Sequence, residues 1–291
     1  MRKTLVAISL LALATTLMAG RHGYRGLSMS IDDEGLVNDC SALRVTIDDR
    51  PAARAEEMVT VGGLRSLSIR APETGGVYVA GTSSGGYSVK ACKAAEFAED
   101  LSQIRVRVSG NEVTAEGSGG GRWVVYFLVE APRGASLDLR TSNGPIALRS
   151  VNGTVAANAV NGPISVKDPS GTYNIETQNG PISLDGGSGT MKLNAENGPV
   201  SVKLRGSTWD GNIDARTQNG PVTLKIPSNF RSGVVVESEG HGPVSCRAEA
   251  CRQARRTWDD EDSRKIELGS GPTAVRMSTV NGPVSVRESK D

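Results

Sequence analysis

Residues 173–204 read YNIETQNGPISLDGGSGTMKLNAENGPVSVKL and contain two copies of one pattern, each centred on Asn-Gly-Pro. Apolar and polar residues alternate on both sides of the tripeptide, as in Ile175 to Thr177 before it and Ile182 to Leu184 after it. Alternation with a period of two is typical of β-strands. The stretch therefore predicts two strands in each repeat, joined by a sharp corner.

The same corner recurs along the chain. Successive Asn-Gly-Pro copies start 18, 18, 18, 22 and 62 residues apart, and His241 replaces asparagine within the last interval. Asparagine and glycine tolerate positive φ and proline fixes φ, so we expect these residues to bend the chain. The predicted corners are Asn143-Gly144-Pro145, Asn161-Gly162-Pro163, Asn179-Gly180-Pro181, Asn197-Gly198-Pro199, Asn219-Gly220-Pro221, His241-Gly242-Pro243 and Asn281-Gly282-Pro283.

Two all-β folds are compatible with this repeat, a β-solenoid with 18 to 22 residues per coil and an antiparallel β-meander or sandwich. A second glycine column provides another corner in each repeat, at Gly153, Gly171, Gly189, Gly211 and Gly233. In a solenoid, each corner stacks on the same corner of the next coil. We predict the solenoid because small residues such as Thr177 and Ala195 recur just before the corner.

The rest of the chain divides around the regular coils. We predict a signal peptide over residues 1–20, a poorly structured or helical lead-in over 21–60 and a β-solenoid domain over 61–291. Within this domain we expect irregular coils over 61–136, regular coils over 137–245, an excursion over 246–268 and a closing coil over 269–287. We expect the excursion to be a solvated loop because its basic and acidic clusters pair with each other or with water.

The N-terminus and the cysteines predict export. Arg2 and Lys3 precede an apolar stretch that is typical of a secretory signal and too short to span a bilayer comfortably. We therefore expect a periplasmic, outer-envelope or extracellular protein without stable membrane insertion after cleavage. An even number of cysteines in an exported chain indicates disulfides, and the simplest of three pairings joins Cys40 with Cys92 and Cys246 with Cys251.

The residues that could carry chemistry are few. A formal net charge of +1 argues against a general nucleic-acid binder. The histidines are His22 and His241, so we expect no metal site and no cofactor. Outward-facing acids such as Asp185 and Asp214 are scattered, whereas glycan hydrolysis needs paired carboxylates. The sequence predicts no catalytic residue, and we interpret the chain as a non-enzyme.

A family resemblance follows from the same motifs. The recurring Thr-x-Asn-Gly-Pro-Ile-x-Leu coils, together with Gly269–Pro272 and Ser278–Val286 near the end, resemble the bacterial DUF4097 family, whose members are labelled as adhesins. The resemblance covers about residue 60 to the end. It implies a β-solenoid, and it transfers no catalytic residue because none is established for the family.

These observations lead to a functional expectation. We expect a monomeric, non-enzymatic exported envelope protein, adhesin-like or structural, whose partner is an unknown glycan, wall polymer or envelope protein. The candidate contact face is an exposed row of hydroxyl side chains, Ser165, Ser183, Ser201, Thr223, Ser245 and Ser285. Two alternatives are an extracytoplasmic sensor or regulatory module of envelope stress and a polysaccharide-active β-helix enzyme.

Overall fold

The structure is a computed structural model that describes residues 27–31, 39–117, 122–240, 242–258 and 264–289. The predicted signal peptide, His22 and His241 lie outside the described residues. The described part contains β-strands, three short 3₁₀ helices (Cys40–Ala42, Glu99–Gln103 and Glu249–Gln253) and no α-helix. No helix in these ranges has the length and apolar character needed to cross a membrane.

The strands fall into three groups along the chain. The N-terminal group comprises β1 (Leu27–Ile31), β2 (Leu43–Ile47), β3 (Arg50–Pro51), β4 (Ala53–Val59), β5 (Leu67–Arg70), β6 (Gly75–Gly81), β7 (Ser88–Ala95), β8 (Arg105–Ser109), β9 (Glu112–Glu116) and β10 (Trp123–Ala131). The regular coils comprise β11 (Ala135–Asn143), β12 (Ile146–Arg149), β13 (Asn152–Asn161), β14 (Ile164–Lys167), β15 (Ser170–Asn179), β16 (Ile182–Asp185), β17 (Gly189–Asn197), β18 (Val200–Lys203), β19 (Gly211–Asn219) and β20 (Val222–Ile226). The C-terminal group comprises β21 (Gly233–Ser238), β22 (Val244–Cys246), β23 (Arg255–Trp258), β24 (Arg264–Leu268), β25 (Thr273–Asn281) and β26 (Val284–Glu288).

Strands β11 to β20 form five coils, each made of a long strand, an Asn-Gly-Pro corner and a short strand. Long strands pair in parallel from coil to coil, so that Leu139, Ala157 and Ile175 align. Short strands do the same at Ile146 and Ile164. The long strands belong to a 12-stranded sheet and the short strands to an 11-stranded sheet, named here the long-strand sheet and the short-strand sheet. This parallel register confirms the predicted β-solenoid and rules out the meander.

The core lies between the two sheets. Inward-facing residues of both sheets are almost completely buried, as at Ile175 (0% exposed) and Ile182 (1% exposed). Complete burial of one such aliphatic side chain contributes about 1.5–3 kcal/mol. The apolar positions of the alternating sequence pattern are therefore the buried positions. Burial of these side chains stabilises the stack of coils.

Side-chain hydrogen bonds run along the corners. Each corner asparagine from Asn161 onward donates from its amide nitrogen to the side-chain oxygen of the asparagine one coil away, at 2.9–3.1 Å, and Asn143 only accepts. The ladder runs through Asn143, Asn161, Asn179, Asn197, Asn219 and Asn281. Beneath this asparagine ladder, buried threonines bind corner carbonyls, as where the Thr217 hydroxyl donates to the Gly198 oxygen at 2.8 Å. The predicted polar corner is thus a continuous hydrogen-bonded edge.

The corner glycines are required for a reason other than the predicted one. Positive φ was expected there, but none of the described Asn-Gly-Pro corners has it. A Cβ on Gly162 would lie 2.2 Å from the Gly144 carbonyl oxygen, so the close contact between coils excludes a side chain. Positive φ occurs instead at the second corner, as at Gly171 (φ 121°).

The N-terminal coils stack out of sequence order. Strands β5 and β6 lie directly on β11 and β12, and the later pair β9 and β10 lies outside them. The prediction of a poorly structured or helical lead-in over 21–60 is wrong over Leu27–Ile31, which forms β1, and over residues 43–59, which contain β2, β3 and β4. Leu43, Val45 and Ile47 are buried on alternate positions of β2, and this period of two favours a strand.

The last two coils are exchanged in the same way. Strands β25 and β26 insert between β19–β20 and β21–β22, so the predicted closing coil is not the terminal layer of the stack. The excursion is not a solvated loop over its described part, because β23 and β24 form an antiparallel hairpin that pairs with β21. Its acidic residues 259–262 lie outside the described residues.

Three of the four described edge strands of the two large sheets, β4, β8 and β23, carry charged side chains, whereas β22 carries none. Arg54 and Glu56 lie on β4, Arg107 lies on β8 and Arg255 lies on β23. Charges on edge strands discourage pairing with strands of another chain. These charged edge strands therefore differ from the interior strands, which pair with a neighbouring strand on each side.

Candidate functional site

The hydroxyl residues predicted as a contact face form one row. On the outer surface of the short-strand sheet, register partners run in the spatial order Ser165, Ser183, Ser201, Thr223, Ser285 and Ser245. The hydroxyls from Ser165 to Thr223 have no hydrogen-bond partner among the described residues. Neighbouring members are separated by one strand spacing, about 4.8 Å. We name this row the hydroxyl row.

A row of cations lies beside it. In a parallel column on the same short strands, two residues after Ala147 or after a hydroxyl residue, the register aligns Arg149, Lys167, Asp185, Lys203, Lys225 and Arg287. The five cations of this set form no ion pair with any other described residue. We name them the cation row, and together the two rows give a flat surface rich in hydroxyl and positive groups.

The acid in the second row, Asp185, shares one arginine with a neighbouring acid. One Arg205 guanidinium nitrogen lies 2.9 Å from an Asp185 carboxylate oxygen, and the other lies 2.8 Å from Asp168. Both carboxylates are thus held by one cation at the second corner. One guanidinium against two carboxylates leaves this cluster with a net charge of −1, so a negative site interrupts the cation row between Lys167 and Lys203.

The outer surface of the long-strand sheet has a different character. A shallow groove of about 570 Å³ crosses several coils and is lined by amides, carboxylates and one arginine, including Glu176, Gln178, Asn194, Glu196 and Arg216. Arg216 is paired with Glu239 at 2.8 Å. Both signs of charge occur on this surface, whereas the column on the opposite sheet is mainly positive.

A small N-terminal lobe covers part of the short-strand sheet. Strands β1, β2 and β3 form a three-stranded sheet, and the Cys40–Cys92 disulfide joins the lobe to β7. Arg122 strengthens the junction, because its guanidinium donates to Asp48 in the lobe at 2.6 Å and to Glu96 at 2.7 Å. These hydrogen bonds raise the pKa of Arg122, with the Asp48 bond contributing most.

Both predicted disulfides are present. Cys40 pairs with Cys92 and Cys246 with Cys251, which is the simplest of the three pairings. The second bridge closes the short turn that leads from β22 into the C-terminal hairpin. No group of three metal-ligating side chains occurs within the described ranges.

The spacing of the residues predicts the cation row as well. Lys167, Lys203, Lys225 and Arg287 each follow a hydroxyl residue by two positions, so alternation places both on the same outer face, and Arg149 follows Ala147 in the same way. A second signal is the unbroken apolar run from Trp123 to Val129. A strand that is apolar on both faces is covered on both faces, and the lobe provides the second cover.

Comparisons with known proteins identify no family. No family model matches the chain, and no curated protein matches it. Solved structures with some similarity include a putative adhesin from Bacteroides fragilis (12% identity, TM-score 0.38, covering 81% of this chain and 97% of that chain) and a putative cell adhesion protein from Clostridium sporogenes (10% identity, TM-score 0.29, covering 82% and 100%). A further one is a putative adhesin from Parabacteroides distasonis, at 11% identity and a TM-score of 0.35, covering 81% of this chain and 97% of that chain. The strand register itself defines the class of the protein, a β-solenoid with antiparallel strands at both ends.

Proposed function

We propose that this chain is a non-enzymatic, exported envelope protein that binds an anionic wall polymer or polysaccharide along the short-strand sheet. The observation that carries the proposal is the alignment of the hydroxyl row with the cation row on one flat surface. Hydroxyls donate and accept hydrogen bonds with glycan hydroxyls, and lysine binds carboxylates and phosphates.

The repeat length of the solenoid supports a polymeric partner. Equivalent groups recur about every 4.8 Å, so a chain with regularly spaced anionic groups meets several cations at once. Individual contacts between exposed charges are weak, and their number supplies the affinity. A single small ligand would use only a fraction of this surface.

Export is part of the proposal. Two disulfides hold the chain, and disulfides persist in oxidising compartments such as the periplasm and the cell surface. The charges on the edge strands β4, β8 and β23 favour a monomer, because they oppose pairing of these strands with another chain.

The test measures binding of the full chain to immobilised polygalacturonate and to wall teichoic acid, with neutral dextran as reference. The variant K167Q/K203Q/K225Q removes three charges from the cation row. Its matched control, R140Q/K192Q/R276Q, removes three exposed cations from the long-strand sheet.

The expected result is salt-sensitive binding to an anionic polymer, weakened at least about tenfold in the first variant and little changed in the control. Equal losses in both variants would mean that net charge alone determines binding. Binding to dextran as strong as to the anionic polymers, or no binding to any of them, contradicts the proposal.

A further inference from the structure

The N-terminal lobe and the short-strand sheet border a partly open cavity whose lining is mainly apolar and also includes Ser41, Arg54, Glu56 and Lys93. Leu43 of β2 belongs to a buried cluster with Tyr126 and Leu128, and Val45 belongs to one with Ala94 and Val124. Between these contacts lies a cavity of about 230 Å³, with the Cys40–Cys92 disulfide in its wall. The lobe and the short-strand sheet thus contact each other around this unfilled cavity.

The size and wall of the cavity define the body of a ligand. An apolar cavity of about 150 Å³ accepts benzene, so this one has room for a body of about ten non-hydrogen atoms. Its wall includes Leu43, Val45, Ala94, Val124 and the Tyr126 ring. Burial raises the pKa of the Tyr126 phenol, which therefore stays uncharged at neutral pH. Such a wall favours an aliphatic or aromatic body.

The mouth of the cavity carries an unpaired cation. Arg54 is exposed at the mouth, and one of its nitrogens donates to the Leu43 carbonyl oxygen at 3.0 Å. It has no carboxylate partner in the described ranges. The neighbouring Glu56 lies 3.5 Å from Lys90, which is also 3.3 Å from Asp39, so Glu56 shares this cation with a second carboxylate. Arg54 keeps free donors in a position to bind an anion.

We propose that this cavity binds a small apolar carboxylic acid, with its body between the lobe and the sheet and its carboxylate on Arg54. Guanidinium and carboxylate form charge-assisted hydrogen bonds, while the apolar body gains from leaving water. The site is separate from the hydroxyl row and the cation row. The proposal for the cavity therefore does not depend on what the hydroxyl row and the cation row bind.

Calorimetric titration of the full chain with octanoate tests the proposal, and octanamide serves as the uncharged match. We expect saturable octanoate binding at one site, with octanamide binding about tenfold more weakly. Arg54→Gln lowers the octanoate affinity to that of octanamide. The matched control Lys192→Gln, on the long-strand sheet, leaves both affinities unchanged.

A second variant tests the place of binding. Ala94→Leu extends a wall side chain into the cavity and abolishes binding of both ligands, while circular dichroism reports whether the fold is kept. If this variant does not fold, the octanoate affinities of Arg54→Gln and Lys192→Gln alone test the proposal. Absence of saturable octanoate binding, equal octanoate affinities of the wild type and Arg54→Gln, or unchanged binding by folded Ala94→Leu would each overturn the proposal.

Discussion

The side-chain amide of Asn161 donates a hydrogen bond to the side-chain oxygen of Asn143, one coil away, at 2.9 Å. The same relationship links every following pair of corner asparagines up to Asn281. An asparagine amide both donates and accepts, so an interior member of the ladder makes two such bonds and an end member makes one. Stacked asparagine ladders of this kind also stabilise cross-β assemblies.

Asn179→Ala removes an interior member of the asparagine ladder. Two hydrogen bonds are lost, those with Asn161 and Asn197, and we expect the free energy of unfolding in urea to fall by about 1–2 kcal/mol. Asn174→Ala is the control, because Asn174 bonds only to Glu176 of the same strand at 3.2 Å. A control loss as large as that of Asn179→Ala would show that the ladder adds no stability.

Gly162→Ala tests the close contact between corners. The new Cβ would meet the Gly144 carbonyl oxygen at 2.2 Å, and backbone cannot move aside cheaply in a packed stack. We expect a loss of about 3 kcal/mol or more in unfolding free energy. Gly85→Ala is the matched control, since no atom lies within 4 Å of its Cβ. Near-equal stability of the two variants would contradict the contact.

The two disulfides should differ in their effect on stability. Cys40 and Cys92 are 52 residues apart, whereas Cys246 and Cys251 are 5 apart. Loop-closure entropy predicts a loss of about 4 kcal/mol for C40A/C92A and about 2 kcal/mol for C246A/C251A. Chemical denaturation of both double variants measures the two values. The reverse order would show that local packing outweighs the entropy of the unfolded chain.

The lobe should loosen in acid. Hydrogen bonds from Ser41, chiefly from its backbone, and an ion pair with Lys90 lower the pKa of Asp39. Because the pKa of Asp39 is lower in the folded protein, its ionised carboxylate stabilises the fold at pH values above its pKa in the unfolded chain, about 3.9. This stability is lost as the pH falls through the pKa of the folded protein. We expect wild type and Asp39→Asn to differ in hydrogen exchange of the lobe near pH 6 and to converge near pH 3. A difference in hydrogen exchange between wild type and Asp39→Asn that stays constant from about pH 6 to about pH 3 would show that ionisation of Asp39 does not cause the loosening.

The repeat made the centre of the fold predictable. The alternation around Asn179 and the constant spacing of the corners predict two parallel columns of strands, and the hydroxyl row follows from the same register. The reason for the corner glycines was not predictable in the same way. Close contact between coils depends on how tightly they stack, which a single repeat does not encode.

The stacking order of the end coils could not be predicted, because the repeated coils are so similar. Spacings of 22 and 40 residues around His241 fit sequential stacking and exchanged stacking equally well. Inner residues such as Val222, Val284 and Val244 are alike, so almost any two coils are complementary. In the structure, the hairpin of β23 and β24 covers β21 and leaves its other edge for β25. The lobe cavity was missed because the short pattern from Leu43 to Ile47 was not assigned as a strand.

Disulfide mapping between engineered cysteines tests the stacked order most directly. Thr223 and Ser285 are register partners about 4.8 Å apart, and Thr223 and Ser245 are two strands apart, about 9.6 Å. A disulfide requires Cα atoms within roughly 7 Å. We predict that mild oxidation followed by mass spectrometry of peptides detects the new bridge in Thr223→Cys/Ser285→Cys and not in Thr223→Cys/Ser245→Cys. A bridge in the second variant and none in the first would contradict the exchanged stack of parallel coils.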